Sequence, residues 1–240
     1  LILTNKKFNI NKITANNFFN SGIINYDKTT LFSEIFQVAP SYYSVLNVKS
    51  NKFNFKYVKY FKYKTEINKS SFENNSLWLK DKLSKVLISR LSNEVKFGVL
   101  ISGGIDSSIN FSIIKKFTKK IKMNLFFSPS LNKKSKDNEC VSILENYYKL
   151  KINKVYLPKK EALILKYLHK ITWFNDYPLT SISSVNQYLM GVEAKKQNIK
   201  ILISGQGADE LFYGYLKYYS FYMISLIKNK NILIFFRNLF

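Results

Sequence analysis

The sequence contains very little cysteine and histidine. Cys140 and His169 each occur once among 240 residues, which excludes an intrachain disulfide, a cysteine zinc cluster and a site built from several histidines. We expect Cys140 to be a buried small apolar residue and His169 to have a structural role. Because cysteine is nearly absent and no signal peptide is recognisable, we predict a cytoplasmic protein.

Arginine is also scarce, although the chain is strongly basic. Arg90 and Arg237 are its only arginines, and 38 Lys and Arg residues against 15 Asp and Glu residues give a formal net charge of +23. Nucleic-acid recognition favours the planar guanidinium group, and the lysines here are scattered along the chain. We therefore predict no nucleic-acid partner and attribute the charge mainly to a bias towards A/T-rich codons.

Long apolar runs are also missing. Lys228 and Lys230 interrupt the most apolar segment, FYMISLIKNKNILIFF, so it predicts an amphipathic helix and the sequence predicts no membrane partner. Hydrophobic residues nevertheless make up 46% of the chain. That content is ample for the core of one large domain or two modest ones.

The first part of the chain shows strand and linker patterns. Residues 41–61 alternate locally, with Phe55 and Tyr57 on one face and Asn54 and Lys56 on the other, which predicts a hairpin turning at residues 50–52. Residues 63–75 are polar and lack periodicity, as linkers do. We therefore predict two domains, comprising residues 1–68 and 69–240.

The second part predicts an α/β domain. A helical pattern that includes Leu79 and Leu83 comes first. Short apolar runs follow, separated by helical patterns, at Val99–Ile101, Leu125–Phe127, Val155–Leu157 and Ile201–Ile203. Strands that alternate with helices indicate right-handed crossovers, and hence a parallel sheet with helices on both faces.

The segment FGVLISGGIDSSINFSIIKKF, residues 97–117, joins the first of these strands to a helix. Gly103 and Gly104 allow a tight turn, and the free amides at the start of the helix favour an anion. Asp106 would repel a bare phosphate, so the pattern suggests Mg²⁺ together with a polyphosphate. The hydroxyls of Ser107 and Ser108 could bind phosphate oxygens, or these residues could act only as helix caps.

A second loop, LISGQGADELFYGY, repeats the pattern at residues 202–215. It passes from an apolar strand through Ser-Gly to Asp209 and Glu210. Neither loop matches a Walker motif, and the second lacks the third glycine of a dinucleotide fingerprint. Loops after parallel strands emerge at one edge of the sheet, so Asp106 and Asp209 could share a cation if the two strands are neighbours.

These motifs resemble those of a known family. SGGIDSS resembles the SGGxDS loop of ATP pyrophosphatases, and LISGQGADELFYGY resembles the SGxGADELFGGY signature of glutamine-hydrolysing asparagine synthetases. TLFSEIFQVAPSYYSVLNV and ITWFNDYPLTSISS resemble further segments, so the likeness extends from about Leu31 onward. It implies an adenine nucleotide alpha-hydrolase-like synthetase domain in residues 69–240, C-terminally incomplete. Residues 1–68 would be a linker and the hairpin remnant of an N-terminal nucleophile glutaminase domain.

The resemblance implies a ligase that forms asparagine. Such an enzyme uses Mg²⁺ and ATP to adenylate the side-chain carboxylate of aspartate, releasing pyrophosphate, and ammonia then displaces AMP. The expected partners are these small molecules, and a homodimer is compatible with the family. A glutaminase of this type needs an N-terminal cysteine, whereas this chain begins with Leu1. Ammonia would therefore come from solution or from glutamine hydrolysed by a partner.

The family pattern also implies the site residues. The residues expected to hold the pyrophosphate portion are Ser102, Gly103, Gly104, Asp106 and Ser107. Those expected to line the adenosine site are Leu100, Phe127, Ser204 and Gly205. Asp106 and Asp209 would bind Mg²⁺ and act in catalysis with Gln206 and Glu210, and the substrate would contact Asp209, Glu210 and Tyr215.

Several positions depart from the family pattern. Gln206 stands where many members have an acid, and an amide cannot act as a base. Tyr177 and Ser181 replace acids of the DEP stretch, and Tyr213 replaces the first glycine of FGGY. Two alternatives therefore stay open: a related adenylating amidotransferase for another carboxylate, such as a glycan or secondary-metabolite precursor, or an inactive remnant that binds nucleotide or a partner.

Overall fold

The structure is a computed structural model. It describes residues 6–23, 27–49, 52–63, 70–91, 95–117, 123–132 and 134–237. The chain divides into two compact units, Leu1–Ser70 and Ser71–Phe240. Residues 64–69 of the expected linker, residues 63–75, and the tip of the expected hairpin, residues 50 and 51, lie outside the described residues. The end of that expected linker is helical instead, because Ser71 caps a helix that begins at Phe72.

The first unit contains a short helix and a hairpin. Helix α1, Lys12–Ser21, begins where the Asn11 side chain accepts a hydrogen bond from the Thr14 amide, and it ends at Gly22 in the left-handed conformation. Strands β1, Tyr42–Lys49, and β2, Lys52–Lys59, pair antiparallel. The alternation of residues 41–61 therefore predicted the hairpin correctly, and its origin in a glutaminase domain stays a prediction.

The second unit alternates helices and strands. Its elements are α2 (Phe72–Ser89), β3 (Phe97–Leu100), α3 (Ile105–Phe117), β4 (Asn124–Phe127), α4 (Lys136–Tyr148), β5 (Ile152–Lys154), α5 (Glu161–Asn175), α6 (Ser183–Lys196), β6 (Ile201–Ile203), α7 (Ala208–Phe212), α8 (Leu216–Lys228) and α9 (Ile232–Arg237).

The four strands of the second unit form one parallel sheet in the order β5-β4-β3-β6. Strand β3 pairs with β4 on one side and with β6 on the other. Successive strands are thus added on one side of β3, first β4 and then β5, and the last strand, β6, is added on the opposite side of β3. This reversal is a topological switch point, where α/β sheets bind their ligands.

The third predicted strand is displaced. The expected run Val155–Leu157 lies beyond β5, and only its first residue extends the ladder, through a hydrogen bond of 2.8 Å from the Val155 amide to the Phe127 carbonyl. Strand β5 is short, contains Asn153 and Lys154, and has β4 as its one neighbour among the described strands. An edge strand needs no continuous apolar run, so hydrophobicity located it three residues too late.

Helices cover both faces of the sheet. On one face, Val99, Leu125 and other strand residues pack with side chains of α2, α3 and α4. On the other face, Phe126 packs with Met190 and Ala194 of α6. Successive strand residues point to opposite faces, so both clusters draw on the same strands. The predicted α/β architecture is confirmed.

Two individual segments differ from expectation. Cys140 is exposed on α4, contrary to expectation, because the neighbouring Val141 provides the buried face of that helix. The apolar C-terminal segment forms α8 and the short α9, not one amphipathic helix. None of the helices in the described ranges has both the length and the apolar character needed to cross a membrane.

Candidate functional site

The first Ser-Gly loop turns sharply between β3 and α3. Gly103 has a φ of 84°, in the left-handed region that L side chains rarely adopt. A β carbon there would also lie 2.7 Å from the carbonyl oxygen of Asp137, at the start of α4. Position 103 therefore requires glycine for both its conformation and its space.

Serine hydroxyls hold this loop in shape. Ser107 is only 3% exposed, and its Oγ accepts a 3.1 Å hydrogen bond from the Ser102 amide while donating to the Gly104 carbonyl. Ser102 Oγ lies 3.0 Å from Ser107 Oγ and accepts from the Gly104 amide at 3.2 Å. Ser108 Oγ also donates to the Gly104 carbonyl. The hydroxyls thus fix the loop, and phosphate binding by these residues stays a prediction.

The second loop packs directly on the first. A β carbon built on Gly205 would lie 3.0 Å from the β carbon of Asp106 and 3.1 Å from the Ser107 amide nitrogen. Asn110 of α3 donates a 3.0 Å hydrogen bond from Nδ2 to the Ser204 carbonyl. Because β3 and β6 are paired neighbours, the two loops meet at the carboxyl edge of the sheet.

A cavity of about 410 Å³ opens where the loops meet. Most of the predicted site residues line it: Leu100, Ser102, Asp106, Ser107, Phe127, Ser204, Gly205, Gln206, Asp209, Glu210 and Tyr215. Gly103 and Gly104 shape the first loop without being among the lining residues. The fold therefore brings the predicted set together, and the role of each residue stays a prediction.

Carboxylates concentrate on the loop side of this cavity. Asp106 lies in the first turn of α3 and Asp209 in the first turn of α7, where negative charge is favoured. Asp137 and Glu210 also line the cavity. Within the described ranges, no group of three or more His, Cys, Asp or Glu side chains could hold a metal alone. Any cation between Asp106 and Asp209 would need oxygen ligands from elsewhere.

The segment after α7 forms hydrogen bonds with Asp209 and Glu210. The Gly214 amide donates to the Asp209 carbonyl at 3.0 Å. The Tyr215 hydroxyl donates a 2.8 Å hydrogen bond to Glu210 Oε1. That hydrogen bond raises the pKa of Tyr215, with smaller contributions from desolvation and from the charges of Glu210 and Asp209. Tyr215 is thus held as a neutral donor next to Glu210.

The sequence did not predict the wall of the cavity that α6 contributes, nor several lining residues from other elements. The unpredicted lining residues are Ile101, Ser128, Asp137, Ser183, Asn186, Gln187, Met190 and Gly207. Ser128 Oγ and Asn186 Oδ1 are buried and have no hydrogen-bond partner among the described residues. Tyr177 and Ser181 are not among the residues found to line the cavity. No Gly-rich or charged motif marks α6, although the ITWFNDYPLTSISS segment ends within its first turn.

Comparison with known proteins identifies similar sequences. Residues 79–233 match the family model described as asparagine synthase. The chain is 29% identical over 153 residues to an asparagine synthetase [glutamine-hydrolyzing] of Zea mays, covering 60% of this chain and 26% of that protein. It is 25% identical over 228 residues to a putative asparagine synthetase [glutamine-hydrolyzing] of Methanocaldococcus jannaschii, covering 93% of this chain and 42% of that protein.

The chain thus spans about a quarter of the maize protein and less than half of the archaeal one. Among solved structures, an NH3-dependent NAD synthetase from Campylobacter jejuni aligns with 61% of each chain at 15% identity, with a TM-score of 0.38.

Proposed function

Because the chain belongs to the asparagine synthase family, we propose that its second unit binds ATP in the cavity and catalyses ATP-dependent amide synthesis. The proposed reaction is adenylation of the aspartate side-chain carboxylate, followed by attack of ammonia to give asparagine. One observation carries this proposal. The two Ser-Gly loops follow neighbouring parallel strands, and Asp106 and Asp209 line the same cavity.

The cavity suits Mg²⁺ as a cofactor. Magnesium prefers hard oxygen ligands, and it is commonly bound through one or two carboxylates with phosphates and water completing the octahedron. Asp106 and Asp209 supply two carboxylates, and the lining residues include no histidine or cysteine. Bound there, the ion would neutralise phosphate charge as the pyrophosphate leaves. We propose Asp106 and Asp209 as its protein ligands.

The proposed chemistry needs no protein nucleophile. A carboxylate oxygen of the substrate attacks the α-phosphorus of ATP, the bond to the bridging oxygen breaks, and pyrophosphate leaves. Ammonia then attacks the acyl carbon, loses a proton and displaces AMP. The contribution of the chain is to position the two substrates and limit the access of water to the mixed anhydride. The amides at the start of α3 face the phosphate end in this arrangement.

Isotope exchange between pyrophosphate and ATP tests the first step. We expect aspartate-dependent exchange in the presence of Mg²⁺, and we expect Asp106→Asn and Asp209→Asn each to reduce it by about 100-fold or more, as for loss of a charged ligand in a catalytic site. Asp81→Asn is the matched control, because Asp81 is exposed on α2, forms an ion pair with Lys85 of the same helix and does not line the cavity. Normal exchange in both variants would refute the proposed metal ligands.

A second candidate function is adenylation of a different carboxylate. Gln206 favours it, because this residue lines the cavity but cannot accept a proton as the family acid would. The same exchange assay, run with a panel of amino acids, sugar acids and other carboxylates, separates the two functions. Exchange with another acid and none with aspartate would establish the second candidate. ATP binding without exchange for any acid would indicate a nucleotide-binding remnant.

A further inference from the structure

The α6 side of the cavity differs chemically from its loop side. Ser183, Asn186, Gln187 and Met190 of α6 line the cavity, and none of them carries a charge. Helix α6 leads into β6, so its first turn lies at the carboxyl edge of the sheet, where the loops also lie. The cavity therefore has an acidic end suited to a metal and phosphates, and an uncharged end suited to another part of the ligand.

Apolar side chains define this uncharged end. Leu100, Phe127 and Met190 line the cavity, and Met190 packs in the cluster that contains Phe126. Asn186 lies one helical turn before Met190, so the two side chains share a face of α6. Walls of this kind suit a flat aromatic ring and bind a charged amino acid poorly, because they offer no counter-charge.

Within this apolar setting, Asn186 presents an unused acceptor. Its Oδ1 is buried without a hydrogen-bond partner in the described part of the chain, and so is Ser128 Oγ, immediately after β4. A buried acceptor that stays unpaired destabilises the protein, so such groups normally bind a ligand or an ordered water molecule. A ligand with a hydrogen-bond donor on an otherwise flat, apolar body would pair this acceptor and fit the apolar walls.

We propose that Asn186 recognises the adenine base by accepting a hydrogen bond from its 6-amino group. An asparagine amide matches adenine well, because the base presents an amino donor beside a ring-nitrogen acceptor. This inference rests on the proposed ATP-binding function and adds a specificity determinant to it. Asn186 is a binding residue in this assignment and takes no part in the transfer of the adenylyl group.

Nucleotide affinity measured by titration calorimetry tests the assignment. The two probes are ATP and purine riboside triphosphate, which lacks only the 6-amino group, each with Mg²⁺ and without a carboxylate substrate. We expect the wild-type chain to bind ATP about five- to tenfold more tightly, the range for one buried hydrogen bond. We expect Asn186→Leu to bind both probes with equal affinity. Asn146→Leu, the same substitution at an exposed position of α4 that does not line the cavity, should keep the preference for ATP.

The outcomes separate the two levels of the proposal. A wild-type chain that binds neither probe would refute ATP binding, and the role of Asn186 with it. A wild-type chain that binds both equally would refute only the role of Asn186, and this result does not depend on the folding of any variant. Equal weakening of both probes in Asn186→Leu, as expected if Oδ1 holds only water, would also refute that role. Loss of the preference in Asn146→Leu would also count against the role of Asn186, because a change outside the cavity would then abolish the discrimination as well.

Discussion

Gly205 lies against Asp106 so closely that a β carbon at position 205 would be 3.0 Å from the β carbon of the aspartate. Gly205 lies in the loop after β6, and Asp106 lies in the first turn of α3, directly after the loop that follows β3. The contact shows that the loops form one surface. It also explains why the second loop needs glycine here, although the backbone of Gly205 is not in the left-handed region.

Replacing Gly205 with alanine should separate the loops. We expect Gly205→Ala to lower the free energy of unfolding by about 1–3 kcal/mol, as for overpacking in a tight site, and to weaken ATP binding. Gly191→Ala is the control, because Gly191 lies inside α6 with open space around its Cα. That change should instead stabilise the chain by about 0.5–1 kcal/mol. Urea denaturation of both variants checks the pair, and equal effects would contradict the packing contact.

Gly214 controls the position of the Asp209 carboxylate. A β carbon on Gly214 would collide with Asp209 Oδ1 and lie 2.7 Å from its Cγ. Because a side chain can rotate away, we expect Gly214→Ala to displace the carboxylate more than it destabilises the fold. The measurable result is a rise of about tenfold in the Mg²⁺ concentration needed for ATP binding, equivalent to roughly 1.4 kcal/mol. An unchanged Mg²⁺ requirement would argue against Asp209 as a ligand.

Tyr213 adopts a conformation that suits glycine better. Its φ is 59°, and its ring lies 5.2 Å from the ring of Tyr218. Comparison of Tyr213→Gly with Tyr213→Ala separates these effects, because both remove the ring and only glycine relieves the backbone. We expect the glycine variant to be more stable than the alanine variant by about 1 kcal/mol. Thermal denaturation measures the difference, and an alanine variant of equal stability would show that the backbone is unstrained.

The proton on Tyr215 depends on Glu210. The hydrogen bond to the Glu210 carboxylate raises the pKa of Tyr215 above its ordinary value of 10.0, so the native state holds this proton more tightly than the unfolded chain. The resulting stabilisation is present below about pH 10 and is lost as the pH rises through the higher native value. In Glu210→Gln the charge is gone, so the pKa should fall towards 10.0.

Carbon NMR of tyrosine labelled at Cζ follows this titration, and Tyr215→Phe assigns the resonance. A pKa in Glu210→Gln that equals the wild-type value would show that the carboxylate is not responsible.

The sequence predicted the residues of the two loops better than it predicted which faces of the helices are buried. Glycine, serine and aspartate at fixed spacing mark Gly103, Asp106 and Asp209, because few residue types satisfy a tight turn beside a helix start. The four-residue spacing of Ile105, Ile109, Ile113 and Phe117 is typical of a helix, and α3 spans it, yet Ile105, Ile109 and Phe117 are 74%, 40% and 53% exposed. The face that packs on the sheet instead includes Phe111 and Ile114.

The α6 wall could not be predicted in the same way. Asn186 and Met190 line the cavity from the first two turns of α6, where spacing alone does not distinguish a face towards a ligand from a face towards the core. The position of strand β5 was mispredicted for a related reason. It contains the polar residue Asn153, whose Nδ2 donates a 2.9 Å hydrogen bond to the Leu125 carbonyl of the neighbouring strand. In both cases tertiary neighbours, not local pattern, determined the role of the residue.

The bond from Asn110 to the Ser204 carbonyl joins positions 94 apart in the chain. A contact of such sequence separation closes a long loop, and the entropic cost of that closure precedes the stability that the contact contributes. The cavity is lined by residues from both ends of this separation, so it is complete only when the two loops have met. Nucleotide binding by this chain should consequently appear late in refolding, together with the last gain in protection of the β6 amides from hydrogen exchange.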